Sequence, residues 1–498
     1  MSQDPSSRLP ESVRGWLDAI AQHRPLYADL LAAGDEPVAA LMQALAAARI
    51  PALQDPGDYI EQFARRVAAA QGDAAAHKLR ARLARCPLVF TANHLCLECL
   101  PLTVQSLLIA AFAEAPGSIL PVMALGLIPA DNISYPIGLQ LARRSAGKPL
   151  RLPVLDLSNR LRRQVTLRLD PYSAVDVDAA GRRLDTMAAN GLVGEAELRA
   201  LRWVLHEVLA HPALLSGPSF AAQIEAALPR LWNAWYAPSL RGAVPDIAYV
   251  TSEAVCTPLV IADLQNPDTL VHRLFFDPVL RNELLRRLDG VPCCWTDGGR
   301  SGGSALLWEV TAERRTSALL IDNDAFVTAS GKRIALSPAA LVDGLESGNL
   351  VPTSFLSLIV VMARGFAQIG GFNQIDYLAA MQRGLSAALA ASGYRQWAEQ
   401  IAAPQPTMLT AGLTAVLVRY GNGDISAAGG IELIAHGGLR ADQLERAKSL
   451  ALSEALAPEL PNVARMVLGE TAAHALLPAD PSAWNSLLIE RLPVIRLD

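Results

Sequence analysis

Residues 87–112 read PLVFTANHLCLECLPLTVQSLLIAAF and residues 118–126 read SILPVMALG. The first apolar run halts at a small polar cluster, Thr91-Ala92-Asn93-His94. A second run, from Pro101, places apolar residues three and four apart, as a helix of about four turns does. The third run is short and apolar throughout. Strand, turn, helix, strand is the signature of a βαβ unit, and strands without a polar face belong to a buried parallel sheet. Crevices in such sheets lie beyond the carboxyl ends of the strands, so residues 91–94 and 129–134 are expected to border one.

The pattern changes on either side of this unit. Residues 1–85 read as an N-terminal helical layer, with VRGWLDAIAQH, PVAALMQALAAARI and YIEQFARRVAAA as its helices. Residues 86–170 form the first half of the α/β core, with a further short strand near LRLPVLDL, and 171–245 a helical insertion. A second half, 246–385, opens with the strand-turn stretch PDIAYVTSEAVCTPLVIADL, whose tip carries Thr251, Ser252 and Glu253. It continues with an antiparallel meander turning at Asn323-Asp324 and Gly331-Lys332. Residues 386–498 are expected to be mainly helical.

A chain of 498 residues exceeds one hydrophobic core, and with 51% hydrophobic and 18% charged residues it has ample material for several packed subdomains. The longest apolar runs, such as FLSLIVVMA, fall short of the roughly 20 residues of a membrane span. The opening MSQDPSSRLPESVRGW has no apolar signal region, so a cytoplasmic protein is expected. A net charge of −5 gives no general attraction to nucleic acid or anionic membranes, and neither is expected as a partner. Six cysteines in apolar contexts suit reduced thiols. Lysine occurs only at 78, 148, 332 and 448, which limits any mechanism built on a catalytic lysine.

Several polar groups are candidates for chemistry. His94, on the turn ahead of a helix, suits binding of a phosphate or carboxylate, or proton transfer; the structural alternative has Thr91 or Asn93 capping the helix and His94 packing beneath it. His94, Cys96, Glu98 and Cys99 could suggest zinc, but a fourth ligand is wanting, because the adjacent Cys293 and Cys294 seldom point at one ion; zinc is not expected. Residues 129–136, PADNISYP, hold Asp131, Asn132, Ser134 and Tyr135 in a loop between two prolines, as a ligand-binding element or an Asx-turn. Residues 369–382, IGGFNQIDYLAAMQ, set Gly370 and Gly371 ahead of Asn373, Gln374, Asp376 and Tyr377 at a helix start, where Asn373 is expected to cap. TDGGRSGGS (296–304) and YGNGDISAAGG are weak phosphate-loop candidates lacking the P-loop ending.

Three of these stretches resemble the BshC family, the cysteine ligase of bacillithiol biosynthesis. That family has a strand, a Thr-Gly-Gln-Gln-type turn and a helix-starting proline. FTANHLCLECLPL keeps Thr91 and Pro101, with Asn93 and His94 where the glutamines would stand. Pro121-Val122 followed by Asp131-Asn132 is similar to the family's Pro-Val strand and acidic loop. GGFNQIDY keeps Gly370, Gly371 and Tyr377 of a Gly-Gly-x-Gly-Glu-x-x-Tyr motif, with Gln374 in place of Glu.

The resemblance, over residues 86–385, implies an α/β fold: a Rossmann-like parallel sheet core, class I nucleotidyltransferase-like, with inserted and flanking helical subdomains, in a cytosolic homodimer. It also implies an enzyme joining an amine- or thiol-bearing amino acid to a second metabolite. His94 and Asp376 are the expected catalytic residues. Thr91, Asn93, Asp131, Asn132, Ser134, Tyr135, Gly370, Gly371, Asn373, Gln374 and Tyr377 are expected to bind substrate. No cofactor is specified; ATP is left open as a co-substrate, though without a lysine-rich KMSKS-like loop. The alternatives are a non-catalytic binding protein of the same fold and a zinc hydrolase.

Overall fold

The structure, a computed structural model, describes residues 11–145, 148–291, 294, 306–404, 408–475 and 488–497. The βαβ pattern of residues 87–126 becomes the middle of a five-stranded sheet: β1 (Leu88–Phe90), β2 (Ile119–Ala124), β3 (Asp246–Thr251), β4 (Ala367–Gly371) and β5 (Leu409–Ala411). The spatial order is β5-β4-β1-β2-β3, and every neighbouring pair is parallel. The chain therefore builds outward from β1 through β2 to β3, then crosses back to lay β4 and β5 on the other side. The direction of growth reverses between β1 and β4.

Successive strand residues point to opposite faces, and here both faces are apolar. Leu88 and Phe90, Leu120 and Val122, and Ile247 and Tyr249 join one buried cluster. Val89, Ile119, Met123, Ala248 and Val250 join a second. Helices α1 (Pro56–Gln71) and α2 (Asp73–Arg85) contribute Tyr59, Phe63 and Leu79 to the second cluster. Helices α3 (Pro101–Ala110) and α4 (Phe220–Ala234) cover the first with Val104, Leu107, Leu228 and Trp232. Helices α5 (Ser252–Gln265) and α6 (Ser354–Ala363) return to the second. Helix α7 (Phe372–Ala391) touches both, through Phe372 and Ile375 on one side and Met381 and Leu385 on the other. The apolar stretch FLSLIVVMA is the core of α6, and among the described residues no helix is long and apolar enough to cross a membrane.

Three details differ from the sequence expectation. The strand near LRLPVLDL is one arm of an antiparallel hairpin, Gly138–Ser145 with Lys148–Pro153, outside the parallel sheet. The meander splits in two: Leu307–Val310 pairs with Thr316–Ala318 and Leu350–Pro352, while Leu320–Asp322, Ala325–Val327 and Arg333–Ala335 form a second small sheet. The C-terminal region is less purely helical than its composition suggests. It supplies β5 and a three-stranded sheet of Leu417–Tyr420, Ile425–Ala427 and Val494–Leu497. The stretch YGNGDISAAGG there makes a hairpin turn with Gly423 at φ +89, a conformation glycine adopts without strain. The stretch 296–304 and Cys293 lie outside the described residues.

Candidate functional site

After Phe90 the chain divides its pairing between two neighbours. Thr91 N donates to Ile369 O of β4 at 2.9 Å, whereas Leu125 N donates to Asn93 O and Leu95 N to Leu125 O, each at 2.9 Å. His94 thus forms a parallel bridge with Leu125 just past β2. This switch from the β4 side to the β2 side happens at the carboxyl edge where strand order reverses, the usual place of a ligand crevice in open parallel sheets.

A buried carboxyl supports the turn from below. Glu98 is 0% exposed, and its Oε1 accepts from Asn93 Nδ2 (2.9 Å) and faces the Tyr249 hydroxyl at 3.0 Å. The same hydroxyl lies 2.7 Å from His94 O. Burial pushes the Glu98 carboxyl above its ordinary range, because its partners are neutral hydrogen bonders rather than cations. Asn93, expected to orient substrate, faces inward at 1% exposure and serves this network. Neither Thr91 nor Asn93 caps the helix. Helix α3 starts at Pro101 behind Leu100, with no side-chain cap, because the buried segment Leu95–Cys99 intervenes.

His94 itself is half-buried, and its Nδ1 lies 3.2 Å from Asn132 Oδ1. An amide oxygen only accepts, so Nδ1 carries the proton and Nε2 keeps its lone pair. Burial lowers the imidazole pKa below its ordinary value, against the smaller opposing effect of the Asn132 bond, so the ring is neutral near pH 7. Asn132 Oδ1 also accepts from Ser134 N and Oγ, both at 3.1 Å, which makes the loop an Asx-turn that presents the amide to His94. Ser134 is buried by that role, Asp131 is exposed, and Tyr135 sits in the left-handed region at φ +51 with Arg151 4.7 Å above its ring.

The start of this loop is held by another buried acid. Glu253, at the head of α5, accepts from Gly126 N (3.1 and 3.0 Å) and Leu127 N (3.2 Å). Burial raises its carboxyl to about 7.

Across the switch point, Gln374 Nε2 donates to Thr91 Oγ1 at 2.6 Å, joining segments 283 residues apart. Gly370 makes this possible: a Cβ there would overlap Gln374 Oε1. Gly371 is under no such constraint, since a Cβ would meet only Ala411 Cβ at 3.6 Å. The cap of α7 is Gly371, not Asn373, whose side chain is exposed. Asp376 is ion-paired with Arg24 of the N-terminal helical layer, and the Tyr27 hydroxyl donates to Phe372 O. Tyr377 packs against the second apolar cluster, on the other face of the sheet from Leu95 and Leu97.

The structure therefore brings together Thr91 with Gln374 and Gly370, and His94 with Asn132 and Ser134. It directs Asn93 inward, Asp376 toward Arg24, and leaves Asp131 and Asn373 in solvent. Tyr249 and Arg24 escaped the sequence reading. Tyr249 had a signal, since strand alternation turns it with Ile247 toward the α3 face. Cys96 and Cys99 are both 0% exposed with thiols pushed well up by burial, and among the described residues no group of three His, Cys, Asp or Glu is arranged to hold a metal ion.

The site belongs to a class that the fold defines: a mixed α/β protein with a five-stranded parallel sheet and polar residues gathered at its carboxyl edge. A scan against protein-family models gave no match to this sequence, and a search of curated proteins gave none either.

Proposed function

We propose that the chain is an enzyme of small-molecule metabolism with a Rossmann-like core resembling class I nucleotidyltransferases. It joins an amine- or thiol-bearing amino acid to a second metabolite at the carboxyl edge, as the resemblance to BshC implies, and works as a homodimer on the same ground. The strand order β5-β4-β1-β2-β3 supports the core assignment. The observation that carries the catalytic reading is the His94–Asn132 contact. It would leave a neutral imidazole whose Nε2 lone pair is fit to take the proton from the attacking nitrogen or sulfur as the new bond to carbon forms, while the bond from that carbon to its leaving group breaks and the group departs with the bonding electrons. Thr91 and Gln374 hold the other wall, and Asp376, engaged by Arg24, is left out of the proton transfer.

The test is mass spectrometry of small-molecule extracts from cells carrying the wild-type chain or His94→Ala. The variant is expected to stay folded and to lose an amino-acid conjugate that wild type makes. A folded His94→Ala chain with undiminished product overturns the catalytic role. It would favour the rival reading, a binding protein of the same fold, for which the sequestered Asp376 is the supporting observation.

A further inference from the structure

We propose that the rim of the crevice around residues 129–136 binds an anionic group, a phosphate or carboxylate borne by a small metabolite. This deepens the reading above and rests on it for the identity of the crevice. Residues 151–168 carry Arg151, Arg160, Arg162, Arg163 and Arg168 in a chain whose net charge is −5. Arg315 joins them through a bond from Nη2 to Arg160 O (3.2 Å). The segment lies directly along the loop beyond β2: Thr166 N donates to Ile128 O, Ala130 N to Gln164 O and Asp131 N to Arg162 O.

Among the described residues, none of these six guanidinium groups is ion-paired with a carboxylate, whereas the neighbouring Arg183 and Arg314 pair with Asp156 (3.1 Å) and Asp170 (2.8 Å). Two further acids on these segments are the exposed Asp131 and Glu313, the latter within Coulombic reach of Arg160 and Arg315. Positive charge is thus in excess here.

The guanidinium groups are anchored yet keep donors to spare. Arg151 gives Nε to Gln140 Oε1 (3.1 Å) and Nη2 to Ile133 O (3.3 Å), and Arg162 gives Nε to Leu157 O (2.9 Å). Arg168 gives Nη2 to Gly348 O (2.7 Å), and among the described residues Arg160 and Arg163 are exposed and donate no side-chain hydrogen bond. Charge-assisted bonds to a phosphate or carboxylate would satisfy such donors, and arginine's fork matches both groups. Asn132 faces His94, and the next residue, Ile133, gives its carbonyl to Arg151, so an anion held on this rim lies beside the proposed proton acceptor. A small ligand suits the rim better than RNA, because the loop's aromatic ring, Tyr135, is covered by Arg151 and offers no stacking platform. Ile133 is exposed at the loop tip, which makes a lipid surface the competing occupant to test.

Isothermal titration calorimetry on the full chain at low salt, with pyrophosphate and with citrate, tests this. Saturable, salt-sensitive binding of at least one is expected, and the tighter of the two tells phosphate from carboxylate. Arg151→Gln should weaken it about tenfold or more. The double variant Arg160→Gln/Arg163→Gln, on exposed side chains, should weaken it several-fold without affecting folding. Arg199→Gln, in an exposed helical pair elsewhere, should bind as wild type does. Absence of binding to both anions, binding unchanged in both rim variants, or tighter binding to single-stranded RNA or to phosphatidylcholine–phosphatidylserine vesicles overturns the proposal. The readout is binding rather than turnover, so its failure leaves the role of His94 standing, and an active His94→Ala chain leaves the anion result standing.

Discussion

The two walls of the carboxyl edge are built on opposite plans. The turn after β1 is locked from within: Glu98, Asn93 and Tyr249 form a buried network of neutral hydrogen bonds under His94, and Glu253 clamps the backbone past β2. The start of α7 is held by the N-terminal helical layer, through the partly exposed ion pair of Arg24 with Asp376 and the buried contact of Tyr27 with Phe372. A buried polar group left without its partner pays its whole desolvation cost, while a partly exposed ion pair exchanges its bonds for water. Geometry at His94 is therefore tied to the stability of the core, and geometry at Asp376 to a surface contact.

Five substitutions test that contrast. Glu98→Ala strands the Asn93 amide and leaves a cavity, and should cost about 3 kcal/mol or more in urea denaturation. A cost under about 1 kcal/mol would mean the network is not what holds the turn. Glu253→Gln tests the same wall through pH. The folded-state value of about 7 lies above the ordinary 4.5, so this group's contribution to stability is complete below pH 4.5 and is lost as pH rises through 7. Relative to the variant, wild type should lose about 3 kcal/mol between pH 4 and 8. Parallel stability–pH curves for the two proteins would refute it.

On the other wall, Gly370→Ala must push Gln374 off Thr91 and should cost about 1–2 kcal/mol, while Gly371→Ala should stay within about 0.5 kcal/mol of wild type. Equal costs for the two glycines would remove the case for a Gln374 seat. Asp376→Asn should cost about 1 kcal/mol or less, since both partners are about a quarter exposed.

The βαβ centre was legible because an apolar run, a helical spacing and a second apolar run follow one another without interruption from 87 to 126. The outer strand β5 was not, because three residues, Leu409–Ala411, are too few to carry a period. Connections of more than a hundred residues separate β2 from β3 and β3 from β4, so strand order had no local signal. At the site, the polar residues were visible one at a time. Their directions were not: Asn93 turns inward because Glu98, five residues on, is buried beneath it, and Asp376 turns to Arg24, 352 residues away. Gly370 is a site of close approach, and what approaches is Gln374.

The proton-accepting role proposed for His94 stands on the state of its ring, which nitrogen-15 NMR of the imidazole across pH 4–8 reads. A neutral ring protonated at Nδ1 is expected, with a pKa below 6.5 that moves when Asn132 is changed to Ala. A ring protonated at Nε2, or a pKa at or above 6.5, would contradict it.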